Sequence, residues 1–328
     1  MLNKDEYKEL LKESFSIDEV NWYIKNIKNN FDDIKKIFPF EDTLKEQITY
    51  NFRIDDLGEY EIYSPNAAAK CLNFKTKEYE VIFGRKLLTY LYNYAYQRIN
   101  IDNIFRNKIY KDEDKKYFYS TIIQSWADFI CLHELSHIIN GHLEYMKLTR
   151  NKNDLSEFNI TSSIDEESQH DKLMMEIDAD KLATLLSMYK FTYSFDRYKE
   201  IFKLSAEETI YSYCSSIIYL FDALYQLNGD NRKPTHPSPI ERMTLTSPNM
   251  YLAFEDNELM SKYNISKDKL NKIIYNTLRD YFLKVHPNTS INKITKIIDD
   301  GLLGYEYDNF IKEDKILKHL RNIKIEII

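Results

Sequence analysis

The segment His133-Glu134-Leu135-Ser136-His137-Ile138-Ile139-Asn140-Gly141-His142 holds three of the chain's seven histidines. Its first five residues have the pattern H-E-x-x-H, which builds a hydrolytic zinc site from one helix face. At 3.6 residues per turn, side chains four apart lie about 40° from one another, so His133 and His137 point the same way. Glu134 lies about 100° round from His133, where it can reach a water on the metal without displacing either imidazole. Zinc in a hydrolase takes three protein ligands and leaves its remaining position to water. The pattern therefore calls for one more ligand.

Three residues compete for that place. His142 is close in sequence, but on a continuing helix it would lie about 180° from His133, and only a turn could bring it back. His170 sits in a polar stretch. Glu176 is the better candidate, because it belongs to Glu176-Ile177-Asp178-Ala179-Asp180 within a helix rich in apolar partners. Glu176 and Asp180 share one helix face, and burying two carboxylates there is costly unless a cation or hydrogen-bond donors meet them. A metal on Glu176, with Asp180 accepting the free N–H of a ligand histidine, satisfies both. Asp178, about 200° from Glu176, reads as part of a solvated face. Further on, His236 lies between Thr235 and Pro237, with Arg242 following. Either side chain near the metal could stabilise the oxyanion of a tetrahedral intermediate.

The elements that must position these groups are mainly helical. Residues 1–38 read as two short helices; Ser16-Ile17-Asp18-Glu19 has capping-box spacing ahead of the pattern Val20, Ile24, Ile27, Phe31, Ile34, which marks the second, and Pro39 ends it. Between Gln47 and Phe83 the period changes to alternation (Ile48, Tyr50, Phe52; Tyr60, Ile62; Tyr79 to Phe83), which predicts a small antiparallel sheet. A helix follows from about 85 to 100. Ile122, Ile123, Trp126, Phe129, Ile130 and Leu135 then recur at helical spacing and predict the metal-bearing helix over 114–140, stopped by Asn140-Gly141. Residues 149–171 read as a surface loop. Helices are expected at 172–189 and 206–227, then a short one from Ile240, with helical segments at 267–284, 290–303 and 311–322. The fold class is thus mainly α (α+β). Residues 1–110 hold helices and the small sheet, 111–250 the metal-bearing core, and 251–328 a helical C-terminal region, all within one compact unit.

Composition narrows the classes further. A net charge of −7, with both signs mixed along the chain, argues against a nucleic-acid footprint. Six glycines and many helix formers in 328 residues favour helices. Cys71, Cys131 and Cys214 form an odd set with no C-x-x-C pair, the usage of free thiols in a reducing compartment. Cys131 lies about 200° from His133 and reads as a core residue. The charged, amphipathic start MLNKDEYKELLKESF lacks the apolar core of a signal peptide. The longest apolar run, Ile217 to Leu227, is short and holds Asp222, so no membrane-spanning helix is expected.

Three pieces together, H-E-L-S-H-I-I-N-G-H, E-I-D-A-D-K-L-A and T-H-P-S-P-I-E-R, are similar to the gluzincin peptidases. Their order resembles the HtpX and CAAX-prenyl-peptidase group, whose members are membrane-embedded. The soluble Lit-like phage-exclusion peptidases are a nearer resemblance, covering about residues 120–248. That resemblance implies a gluzincin-like core and a zinc endopeptidase of the bacterial cytoplasm, with one Zn2+ per chain. It implies His133, His137 and Glu176 as ligands, Glu134 as general base, Asp180 behind a ligand, and His236 and Arg242 near the site. It also implies a protein substrate, elongation factor Tu being the family's best-known one, and a phage-derived activator as partner. Two other readings stand beside it. One is a zinc-stapled sensor that no longer hydrolyses anything, although such a site has no need of Glu134. The other is a regulatory peptidase acting on a repressor, although no basic recognition helix accompanies it.

Overall fold

The computed structural model describes residues 17–37, 49–55, 67–99, 112–150, 154–156, 166–227, 239–256, 258–285, 290 and 292. In chain order these form α1 (Ile17–Ile37), β1 (Thr49–Asp55), β2 (Ala67–Asn73), β3 (Glu78–Gly84), α2 (Arg85–Arg98), α3 (Asp112–Ile139) and α4 (His142–Arg150). There follow β4 (Asp154–Ser156), α5 (Glu166–Tyr193), α6 (Phe195–Ile201), α7 (Ala206–Leu227), α8 (Pro239–Asp256), α9 (Leu259–Lys262) and α10 (Lys267–Val285). The protein is mainly helical with one small sheet, as its sequence predicts. The first of the two helices expected over 1–38, the strand expected around Tyr60 and Ile62 and the helices expected at 290–303 and 311–322 lie outside the described residues, apart from 290 and 292.

The sheet has the strand order β1-β3-β2-β4 and is mixed. The expected antiparallel pairing holds for β2 with β3 and for β2 with β4. β1, however, runs parallel to β3, from Thr49 opposite Glu78 to Asp55 opposite Gly84. The geometry explains this: β2 lies one strand away from β1, and the β2–β3 hairpin turns back into the space between them. Asn73 Oδ1 closes that hairpin by accepting from the backbone N–H groups of Lys75 (3.0 Å) and Thr76 (3.4 Å). β4 emerges from the 149–171 stretch expected to be loop, and α5 begins within it, at Glu166. The helix expected to be short from Ile240 is α8, which runs from Pro239 to Asp256.

α3 is the central element. From Trp126 to Ile138 every side chain is buried, the condition of a helix enclosed by protein on all sides. It packs on α5, α2, α1, α7 and the sheet. The Trp126 indole N–H donates to the Ser216 carbonyl (2.9 Å) and hydroxyl (3.0 Å) on α7, so the largest core side chain leaves no polar atom unmet. Phe129 stacks edge-on against Phe221, with ring centroids 5.5 Å apart. Ala67, Ala68 and Ala69 are buried where β2 approaches α3 and α4. Small side chains there permit the close approach. Among the described residues no helix is long and apolar enough to cross a membrane.

Two polar clusters fix the neighbours of α3. Asp128 accepts from Asn30 Nδ2 on α1 (3.2 and 3.3 Å) and from Gln124 Nε2 (3.1 Å), and it pairs with Lys190 on α5. Asp171 on α5 accepts from Tyr145 Oη (2.9 Å) and Arg150 Nη2 (2.6 Å), which ties down α4. Tyr79 on β3 donates to Glu144 on the same helix.

Candidate metal centre

α3 carries His133, Glu134 and His137, and α5 carries Glu176, Asp178 and Asp180. The two helices lie side by side and bring the imidazoles and the Glu176 carboxylate together. His133 Nε2 lies 3.1 Å from His137 Nε2 and 3.0 Å from Glu176 Oε2. His137 Nε2 lies 3.7 Å from Glu176 Oε1. The possible ligand atoms of the three residues fall within 4.8 Å of one another, and all three side chains are buried. Tetrahedral zinc with bonds near 2.0–2.1 Å holds its ligand atoms about 3.3 Å apart. The spacing and the donor chemistry therefore fit a metal ion, and this buried cluster could hold one. Cys131, also on α3, is not part of the group. Burial, reinforced by Asp128 and then Glu134, pushes its thiol well above the usual range, the state of an inert core cysteine.

Each imidazole turns its other nitrogen away from the cluster. His133 Nδ1 lies 3.0 Å from Asp180 Oδ1, an ion-pair approach that falls short of hydrogen-bond geometry. Asp180 is gripped from the far side by Arg242 on α8, whose Nε (2.7 Å) and Nη2 (2.6 Å) donate to its two oxygens. The Arg242 guanidinium also lies over the Phe221 ring, 4.7 Å from its centroid. Arg242 is 3% exposed and Asp180 2%. Arg242 thus holds a carboxylate that faces a histidine, where the sequence suggested a donor to an oxyanion. The other candidate for that part, His236, lies outside the described residues, as does the side chain of His170.

His137 turns Nδ1 to a partner that the sequence did not single out for this part. Its Nδ1 lies 2.7 Å from His142 Nδ1, and His142 Nε2 lies 3.2 Å from Asp178 Oδ2. The helix stops where Asn140-Gly141 predicts, with Gly141 N–H bonded to the Ile138 carbonyl (3.1 Å) and Gly141 at φ 75°. That left-handed residue suits glycine. It swings His142, the first residue of α4, back beneath the site. The opposite-face placement of His142 holds only for an unbroken helix, so the glycine stop was the available signal. Asp178, 29% exposed at its side chain, is His142's partner rather than an idle surface acid.

The electrostatics follow from these contacts. Burial works to lower the His133 pKa, but Asp180 and Glu176 outweigh it and hold the imidazole well above its ordinary value. At His137 burial dominates, and His133 and His142 reinforce it against Glu176, so this imidazole is held well below. Burial would raise Asp180, yet Arg242 and then His133 reverse that and depress its carboxyl. Together these describe a neutral His137 beside a carboxylate-backed His133.

No protein-family model, curated protein or solved structure matches this chain.

Proposed function

We propose that the chain is a zinc-dependent endopeptidase. The observation that carries this reading is the buried His133–His137–Glu176 cluster, with Glu134, itself only 1% exposed, on the same helix. A purely structural metal site has no use for a buried carboxylate at that position. Two imidazole nitrogens and one carboxylate are the ligand chemistry of catalytic zinc. Zinc held there supplies Lewis acidity that polarises a carbonyl and makes water acidic near neutral pH.

The chain's own residues supply the rest. Glu134 takes the proton of the attacking water and returns a proton to the leaving amine as the peptide C–N bond breaks. Asp180, held by Arg242, backs His133. His236 is the residue assigned to oxyanion stabilisation. The substrate class is a protein. The resemblance to the Lit-like peptidases makes elongation factor Tu the first candidate, and a phage-derived activator the first candidate trigger. The three free, buried cysteines suit a cytoplasmic location.

Glu134→Gln tests this reading. The variant should retain stoichiometric zinc and lose at least 100-fold in hydrolysis, the scale of general-base catalysis. Cut sites mapped by proteomics in cells expressing wild type and variant identify the substrate. Equal cutting by both proteins refutes the base assignment, and no cutting by the wild type leaves the zinc-stapled sensor instead.

A further inference from the structure

Behind the candidate metal site runs a three-member polar chain, His137–His142–Asp178, drawn from three successive helices, α3, α4 and α5. Both imidazoles are buried, and their ring centroids lie 5.0 Å apart. The chain has a direction that follows from donor and acceptor counting. A neutral imidazole carries one N–H and one bare lone pair, and a carboxylate only accepts. Asp178 Oδ2 lies 3.2 Å from His142 Nε2, so that nitrogen bears the hydrogen. With His142 in its neutral form, its Nδ1 is then bare and accepts. At 2.7 Å from it, His137 Nδ1 must donate. That leaves His137 Nε2 with the bare lone pair, and Nε2 is the atom that faces His133 and Glu176.

We propose that His142 and Asp178 are positioning residues. They fix His137 in the tautomer and ring orientation that present Nε2 to a metal, and so set the affinity of the site. The proposal rests on the reading of His137 as a ligand. It gives the two ligand histidines different supports. His133 is backed by a carboxylate directly, whereas His137 is backed by a carboxylate relayed through a second imidazole. The relay fits the local geometry. Asp178 lies on the α5 face turned away from Glu176 and Asp180, about 200° round from Glu176. The His142 ring, delivered by the Gly141 turn, spans the gap between Asp178 and His137.

The test uses the full-length chain with zinc as the probe, its affinity measured by competition with a chromophoric chelator. His142→Leu removes the acceptor and should weaken zinc binding about 10–100-fold, the range for loss of such a partner. His142→Gln, whose Oε1 can accept, should restore most of the affinity, which a mere packing role would not explain. Asp178→Asn, at a half-buried position that tolerates exchange, can both donate and accept and so loosens the direction of the chain. It should bind zinc more weakly than wild type. In the zinc-loaded wild type, 15N spectra of labelled histidine should show hydrogen on His137 Nδ1 and on His142 Nε2. Zinc affinity within twofold of wild type in both His142→Leu and Asp178→Asn, while His137→Ala loses the metal, would overturn the proposal and leave the ligand set intact. Stoichiometric zinc in His137→Ala would overturn the ligand set itself.

Discussion

Replacing Arg242 by Met tests whether the Asp180–Arg242 pair supports the site as its geometry requires. The pair is fully enclosed, with two donor bonds of 2.6 and 2.7 Å, and the guanidinium also lies on Phe221. Methionine keeps much of the volume and removes the charge, leaving Asp180 as a buried carboxylate facing only His133. Breaking one side of a buried pair costs about 3–5 kcal/mol. For a chain of this size each kcal/mol moves the melting temperature by roughly 2–4 °C, so a fall of about 10 °C is expected. Urea unfolding of the EDTA-treated protein gives the free energy without linkage to zinc. The double variant Arg242→Met/Asp180→Leu removes both charges, and it should be about 2 kcal/mol more stable than Arg242→Met alone. It should nonetheless bind zinc about 10–100-fold more weakly than wild type, because His133 then lacks its carboxylate. The sign with pH is also fixed. Asp180's carboxyl is depressed in the fold, so its contribution is full above the unfolded value near 3.9 and is lost as pH falls through the lower folded value. The deficit of Arg242→Met should therefore be full at pH 7 and shrink in acid. A deficit below 1 kcal/mol at pH 7, or a double variant whose loss equals the sum of the two singles, refutes this account.

Two more expectations follow from the geometry. Lys190→Met leaves Asp128 with only the Asn30 and Gln124 amides, so urea unfolding should show a loss of about 2 kcal/mol, the Lys190 side chain being 27% exposed and partly screened. Zinc affinity should change little, since at 1.5 Å per residue Lys190 lies roughly 20 Å along α5 from Glu176 and Asp128 roughly 8 Å along α3 from His133. In the metal-free chain the raised His133 pKa contributes stability that is full below about 6.5 and is lost as pH rises through the folded value. Zinc must displace that proton, so the rise in melting temperature on adding zinc should grow from pH 6 to pH 8. A rise that is constant or that shrinks with pH contradicts the assignment of His133.

What the sequence makes legible is what helix periodicity encodes. The apolar recurrence around Trp126 and Phe129 locates α3, and the i, i+4 pairs His133/His137 and Glu176/Asp180 locate the two faces that meet. Three features escape such reading. β2 begins with three alanines, residues that favour helix when taken alone, and its strand state comes from pairing with β3 and from the close approach of α3. β1 runs parallel to β3 because of where the hairpin inserts, and no local pattern carries that. The roles of His142 and Asp178 depend on the turn at Gly141, where helical angles cease to apply. Arg242 illustrates the same limit from the other direction. Its partner, Asp180, is set by how α8 packs on α5, which no local pattern carries.

α3 and α5 are joined at two separate places. At one stand the two histidines and Glu176, and at the other Asp128 and Lys190, with the packing around Trp126 between helices α3 and α7. The second join and that packing owe nothing to a metal ion. On the proposed function, a scaffold built in this way would hold its fold without zinc, so that an empty copy would be a reserve rather than a casualty of folding, with metal one of the things it must acquire before it is armed.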